Sequence, residues 1–358
     1  HYVWKLSGPE QTSSLATLKA MHPNVITALH YFLEEAAGSP HAADAGLSLA
    51  TDLVWYWYLS NNFSLGRKWI EEFSNLSTDT DLEPRAYFAR GLLTFFLGEW
   101  RRATGDLEEC LRLCEDNLEV EVLAYSYLGV ASRWLGDCEK GWRCNKKAIA
   151  AARKASRNVL VYALVFATCT CGGDFPGAPP LEEMDEALDL AVSIGDFWSI
   201  AHIYNGFGDL YSTLGDAENS RSAYLESVSR FEALGDRYMI GWNYEGLGRL
   251  GLRQGNLGDA LSWTKRALAA FDGIGDELNC SLMMARLAGI GGPGSGKISG
   301  RIAGAALTIL SRLRQDDLTG APQIKDALDT IELLQRKEPA AFETGRSLTR
   351  AEAVDRKS

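Results

Sequence analysis

The chain has 358 residues, 46% of them apolar, with 36 Lys and Arg against 47 Asp and Glu for a formal net charge of −11. That apolar share excludes a disordered chain, the longest apolar runs fall well short of the ~20 residues that cross a bilayer, and a field of this sign repels phosphate backbones, so direct nucleic-acid binding is not expected. The seven cysteines, 110, 114, 138, 144, 169, 171 and 280, are odd in number and lack framework spacing, which reads as free thiols in a reducing cytoplasm.

The chain opens at His1 without a signal-peptide pattern and reads as a piece of a longer protein. Residues 1–80 read as an N-terminal helical cap, in which the aromatic run Trp55-Tyr-Trp-Tyr58 is packed rather than a ligand cage. From 84 to 315 one skeleton returns five times: a small residue, a turn residue seven positions on, and a second small residue twelve positions on. The first set is Gly91, Gly129, Gly208, Gly248 and Ala288; the turns are Gly98, Gly136, Gly215, Gly255 and Ser295; the second set is Ala103, Gly141, Ser220, Ala260 and Gly300. Two antiparallel helices need small residues where their backbones cross, and glycine between them supplies a left-handed cap at little steric cost. The stops Ile194-Gly195-Asp196, Leu234-Gly235-Asp236 and Ile274-Gly275-Asp276 recur every 40 residues, a period that means stacked helical hairpins. About six hairpins are expected, the third degenerate: Cys171-Gly-Gly-Asp-Phe-Pro-Gly-Ala-Pro-Pro180 replaces its short turn, and Leu181–Ile194 reads as its second helix. Tyr87, Tyr125, Tyr204 and Tyr244, four positions before the small residue, read as core filling toward the next hairpin. A closing helical segment runs over 321–358, where Thr349 and Glu352 form a capping box for the last short helix.

Two motifs tempt and fail. Gly291-Gly-Pro-Gly-Ser-Gly296-Lys297 imitates a phosphate-binding loop, but Ile298 stands where Mg²⁺ needs a Ser or Thr, and the preceding segment Leu282–Ile290 is a repeat helix rather than a strand. Cys110 and Cys114 lie one helical turn apart without the paired knuckles of a zinc site, and Cys110 sits in the small-residue slot of a second helix, equivalent to Ala148, Ser227 and Ala267. No nucleophile elbow, metalloprotease helix or dinucleotide fingerprint is present, so neither catalysis, metal nor cofactor is expected in this segment. The first helices of a right-handed stack line its concave side. On them, spacings of three, four and seven hold Arg85 and Phe88; Ser126, Arg133 and Trp134; His202, Asn205 and Asp209; and Trp242, Glu245, Arg249 and Arg253 on one side each. These twelve are the candidate groove for a protein partner or a small molecule.

The hairpin pattern resembles tetratricopeptide repeats of a long, roughly 40-residue variety, which implies an all-α, right-handed superhelical solenoid. The resemblance widens at Leu15-x-x-Leu18 with His22-Pro-Asn24-Val25-x-x-Ala28-Leu29, at Trp55-Tyr-Trp57 with Gly66-Arg67-x-x-Ile70-Glu71-Glu72, and at Gly345-Arg-Ser-Leu-Thr349-Arg-Ala-Glu352-Ala353. These look like the sensor regions of bacterial signal-transduction ATPases of the STAND class, relatives of LuxR-type and winged-helix activators. That resemblance implies a cytoplasmic, non-catalytic sensor arm that receives an inducer or partner and controls an ATPase module elsewhere in the full-length chain. Two other readings are a scaffold that docks a partner protein without small-molecule sensing, and a nucleotide-binding ATPase using the 291–297 loop.

Overall fold

Helix propensity, regular apolar spacing and left-handed stops at fixed intervals leave this chain one economical solution, and the computed structural model adopts it. Residues 8–114, 117–170, 181–290, 296–313 and 322–355 are described, and among them every regular element is helical. The N-terminal elements are α1 (Gln11–Ala20), α2 (His22–Ala36), α3 (Pro40–Asp52), α4 (Val54–Leu59) and α5 (Phe63–Ser74), followed by a 3-10 turn at Thr80–Leu82. Hairpins follow as α6 (Glu83–Phe96) with α7 (Trp100–Leu113), α8 (Leu118–Trp134) with α9 (Cys138–Ala152), and α10 (Arg157–Thr170) with α11 (Leu181–Ile194). Next come α12 (Phe197–Leu214) with α13 (Ala217–Leu234), α14 (Arg237–Arg253) with α15 (Leu257–Asp272), and α16 (Glu277–Ile290) with α17 (Gly296–Arg312). The chain closes with α18 (Pro322–Lys337), α19 (Pro339–Arg346) and α20 (Arg350–Asp355). The fold is all-α, built of tetratricopeptide-like hairpins, as expected.

The register found in the sequence is the packing register. Gly98, Gly136, Gly215 and Gly255 have φ of +78°, +85°, +79° and +71°, a region that a Cβ disfavours; Ser295 lies outside the described residues. Each of the four small glycines of the first helices meets a side chain sixteen positions on in the second: Gly91 meets Leu107, Gly129 meets Asn145, Gly208 meets Tyr224 and Gly248 meets Thr264. A Cβ on Gly208 would stand 2.5 Å from the Tyr224 ring, so no larger residue fits while the helices stay this close. Cys110, Ala148, Ser227 and Ala267, the matching slots of the second helices, are buried, and burial pushes the Cys110 thiol well up. Thr349 and Glu352 form the expected capping box, with the Thr349 amide donating to Glu352 Oε2 at 2.9 Å and the hydroxyl at 2.8 Å.

The N-terminal segment carries the same plan in disguise. Backbone bonds run through Leu53, from Leu53 N to Leu49 O at 3.2 Å and from Trp57 N to Leu53 O at 2.9 Å, so α3 and α4 form one rod. Asn61, at φ +58°, turns that rod into α5, Gly66 lies against the Trp57 ring and Gly46 against Phe73. Asn and Gly are the residues that tolerate such a turn and such a crossing.

By contacts the chain forms two compact units, whereas the three sequence segments divide it by repeat pattern. Unit one holds His1–Arg133, Asp137–Phe207 and Ser229–Asp236; unit two holds Trp134–Gly136, Gly208–Val228 and Arg237–Ser358. In unit two, α14 packs on α15, α15 on α16, α16 on α17, and α17 on α18 and α19. None of the described helices is long and apolar enough to cross a membrane.

Candidate functional site

Unit one turns aromatic rings toward its centre. Trp55 of α4 meets Tyr127 of α8 at 6.3 Å, Tyr162 of α10 at 5.4 Å and Trp198 of α12 at 5.8 Å between centroids. Tyr162 stacks on Trp198 at 5.2 Å and 15°, and Tyr127 lies against Phe166 at 4.5 Å. The Tyr58 hydroxyl donates to Asp236 at 2.9 Å across 178 residues of sequence. Burial first, and the Asp236 carboxylate next, hold the Tyr58 phenol well above its ordinary pKa, so it stays a donor. The first helices of unit one therefore close on one another around packed rings. The segment ahead of α1 and α1 itself fasten that closure: Pro9 abuts Gly195, and Gln11 Oε1, itself buried, accepts the backbone N–H of Trp198 at 3.0 Å.

This closure takes Phe88, Ser126 and His202 of the candidate groove into the core, and places Arg85, Arg133 and Asn205 half-buried in unit one. Phe88 is core, 6.1 Å from the Tyr127 ring. Ser126 is fully buried and donates to the Val122 carbonyl at 2.8 Å. His202 is wedged between Trp198, 3.9 Å between centroids, and Phe231, 5.0 Å, and its burial pushes the imidazole down to about 3. Arg85 reaches back to the Asp52 carboxylate of α3. Arg133 and Asn205 are half-buried in the same unit. A sequence spacing of three and four finds one side of a helix, and on these helices that side faces other helices. The tyrosines Tyr125, Tyr204 and Tyr244 lie against the second helix of their own hairpin, by Lys147, Arg230 and Trp263 at 5.2, 5.1 and 5.5 Å, and Tyr125 also packs on the cluster that Val159 and Ala163 of the next hairpin complete. Tyr87 lies instead under Arg90 of its own helix, at 4.8 Å.

The other six candidates come together in unit two. Trp242, Glu245, Arg249 and Arg253 descend one side of α14, and Trp134 meets Trp242 edge-on at 5.2 Å. Arg249 bridges two carboxylates, Glu245 at 2.9 Å and Asp209 at 2.7 Å. The Glu245 charge, followed by Asp209, holds the Arg249 guanidinium well above its ordinary pKa against the cost of burial. Arg253 donates to the Ser212 hydroxyl at 3.0 Å. Three members escaped the sequence reading. Tyr224 donates to Asp209 at 2.7 Å, Arg286 of α16 pairs with Glu245 at 2.8 Å, and Ser212 receives Arg253. The 40-residue register offered a signal for one of them: Arg286 falls where α12 and α14 carry Gly206 and Gly246, a replacement of a packing glycine by a long cation.

Glu245 has only 5% of its side chain exposed beneath two guanidiniums, whereas Arg249 has 36% and Arg286 25%. Glu245 is turned inward beneath these two cations, while Asp209 is half-buried beside them, and a half-buried tryptophan pair lies on the same unit. Such a surface can hold a ligand by charge-assisted hydrogen bonds and ring contact. It offers no nucleophile with an adjacent base. Among the described residues no group of His, Cys, Asp and Glu could hold a metal ion. Lys297 sits exposed in the first turn of α17, preceded by helix α16 and not by the strand a phosphate loop requires; residues 291–295 lie outside the described residues.

Residues 199–272 match the tetratricopeptide repeat family model. No curated protein matches the chain. Among solved structures, the fold is similar to a Signal Transduction ATPase with Numerous Domains protein with a tetratricopeptide repeat sensor from Pyrococcus horikoshii, at 17% identity and TM-score 0.52 over 95% of this chain. The chain spans about half of that protein, 52% of its length. It is also similar to a Rap protein complexed with competence and sporulation factor, at 15% identity and TM-score 0.57, covering 90% of this chain and 99% of that one. The fold is thus that of a tetratricopeptide-like helical-repeat protein.

Proposed function

We propose that the chain is a non-catalytic sensor domain that binds a peptide or protein segment on the α14 ledge of unit two, and that it serves a STAND-type transcriptional regulator. The observation that carries the binding role is the convergence of Asp209, Tyr224, Glu245, Arg249 and Arg286 from four helices, with Tyr224 and Glu245 buried beneath and Arg249 and Arg286 partly exposed. Preorganised guanidiniums beside rings bind because little side-chain freedom is left to lose. A bound factor in the similar Rap structure and a repeat sensor in the similar Pyrococcus protein support the sensor reading. The regulator role rests on the N-terminal and C-terminal segments quoted above. In that role the chain works in a bacterial cytoplasm without a cofactor of its own, and ligand on the ledge biases an ATPase module of the same polypeptide.

A thermal-shift screen of peptides and metabolites tests the binding role, because a ligand of the native state stabilises it by mass action. We expect a ligand that raises Tm for the native chain but not for Trp242→Ala. A ligand that raises both equally contradicts the placement. Lys297→Ala disposes of the ATPase reading: it leaves any nucleotide response unchanged, whereas loss of a nucleotide-induced shift would restore that reading.

A further inference from the structure

Helix α1 is thinly attached to unit one. Of its ten residues only Gln11 and Leu15 are buried, and Leu15 is the one apolar side chain of the two. Its anchors fall on the helix stops. Ahead of α1, Gly8 lies against the Ile194 carbonyl and Pro9 against Gly195, and at its far end the Lys19 ammonium lies over Gly235. Gly195 and Gly235 are left-handed stops, at φ +69° and +70°, and the carbonyl end of a helix favours a cation such as Lys19. Gln11 and Lys19 are eight residues apart in the sequence, about 12 Å along a helix. Helix α1 therefore lies across two successive stops of the repeat.

Gln11 makes the specific contact. Its Oε1 accepts the Trp198 N–H at 3.0 Å, and its side chain also hydrogen-bonds Asp196. A carboxylate only accepts, so the NH₂ end of the Gln11 amide faces Asp196 and the carbonyl end faces Trp198. The cap of α12 is complete without this amide. Asp196 also receives the Ser199 N–H at 3.2 Å and the Ser199 hydroxyl at 2.6 Å. Asp216 caps α13 through Asn219 in the same way, at 3.1 and 2.7 Å. When α1 lifts, α12 keeps its own cap and water takes the place of the Gln11 amide.

We propose that α1 is a releasable strap, laid across the Gly195 and Gly235 stops and pinned by Gln11, that lifts while the helices beneath it stay folded and so bares the start of α12, where Trp198 stands. It is a device of unit one, separate from the ledge of unit two. A segment held by so few buried side chains opens at a free energy far below that of global unfolding.

The test is hydrogen exchange of the full chain, read by mass spectrometry of peptic peptides across a series of low urea concentrations, for the native protein and for Gln11→Ala and Gln11→Glu. Glutamate keeps the size of glutamine and an acceptor for Trp198, but sets a second carboxylate against Asp196. We expect α1 of the native chain to exchange at a rate that low urea leaves unchanged, at least about a hundredfold faster than α8 and α10. Both substitutions should speed exchange of α1 and of the first turn of α12 at least about tenfold, with α8 and α10 held within about twofold. Exchange of native α1 only through global unfolding, at the rate of α8 and α10, overturns the strap, and this arm needs neither variant. Acceleration that spreads equally to α8 and α10 makes Gln11 a core residue and overturns it too. Native protection in Gln11→Glu, or in both variants, overturns the pin at Asp196.

Discussion

Helices α12 and α14 occupy successive hairpins, and their inward residues fall at matching positions 40 apart: Trp198 and Tyr238, His202 and Trp242, Asn205 and Glu245, Asp209 and Arg249. In unit one the α12 residues Trp198 and His202 are buried among rings that reach from α4, α8 and α10. In unit two the α14 residues spread from a half-buried tryptophan to a bridged arginine, with Glu245 turned inward. One backbone plan therefore supports opposite uses of the same side. Apolar area gains about 25 cal/mol per Å² when it leaves water, which favours closure of a ring-lined face. Guanidiniums and carboxylates carry a desolvation cost that keeps such a face open to water.

The largest effect that could break this contrast is expected from Trp198→Ala, which empties the centre of unit one. We expect a loss of about 3–5 kcal/mol, measured by urea unfolding, whereas Trp242→Ala, one turn beyond the matching Tyr238 on α14, should lose much less. Equal losses would mean that the two faces are packed alike.

Next in size is Arg249→Ala, which leaves Asp209 and Glu245 with one partner fewer. Arg286 still holds Glu245 and Tyr224 still holds Asp209, so the expected cost is about 1–3 kcal/mol, read from the same unfolding curves. A larger loss would make the ledge part of the core.

Acid sharpens the contrast because two buried groups respond with opposite sign. The native imidazole of His202 titrates at about 3 and its unfolded counterpart near 6.5, so below pH ~6.5 the unfolded state binds a proton that the native state refuses. Stability from this site is then lost as pH falls, by up to about 1.4 kcal/mol per pH unit. Asp276 of unit two, which caps α16 through the Asn279 amide at 2.9 Å, is pushed by burial to about 6 from 3.8. Its native state holds the extra proton between those values, so its contribution grows as pH falls through that window. Asp196 in unit one, also raised by burial, acts in the Asp276 direction. His202→Phe should flatten the acid limb of the stability profile, and Asp276→Asn should steepen it; the reverse changes would contradict the assigned burial. The smallest effect belongs to the exposed pair Arg143–Glu139: Arg143→Ala should shift stability by under about 0.5 kcal/mol.

The repeat register was legible because backbone crossings tolerate so few residues: Gly208 against Tyr224 and Gly248 against Thr264 leave no room for alternatives. The hairpin of α3, α4 and α5 stayed hidden for the same reason read backwards, since Asn61 takes the turn where four other hairpins have glycine and Val54 holds the small-residue place. The surroundings of the candidate residues were legible only in part. Helical spacing placed Trp242, Glu245, Arg249 and Arg253 on one side correctly, but it could not tell that the same side of α6, α8 and α12 meets other rings. That distinction depends on Trp55 and Tyr58 arriving from far away in sequence. The recurring Gly-Asp stops were seen as ends. Asp196 and Asp276 are also beginnings, as buried caps of the following helices.

The central claim is a closed ring-lined face in unit one and an accessible ledge in unit two. Its most direct test is ¹⁹F NMR of 5-fluorotryptophan-labelled protein, assigned by single Trp→Phe changes, with a soluble paramagnetic probe. The account predicts that Trp55, Trp57 and Trp198 signals stay sharp while Trp134 and Trp242 broaden. Broadening of Trp198 to the same degree as Trp242 would contradict it.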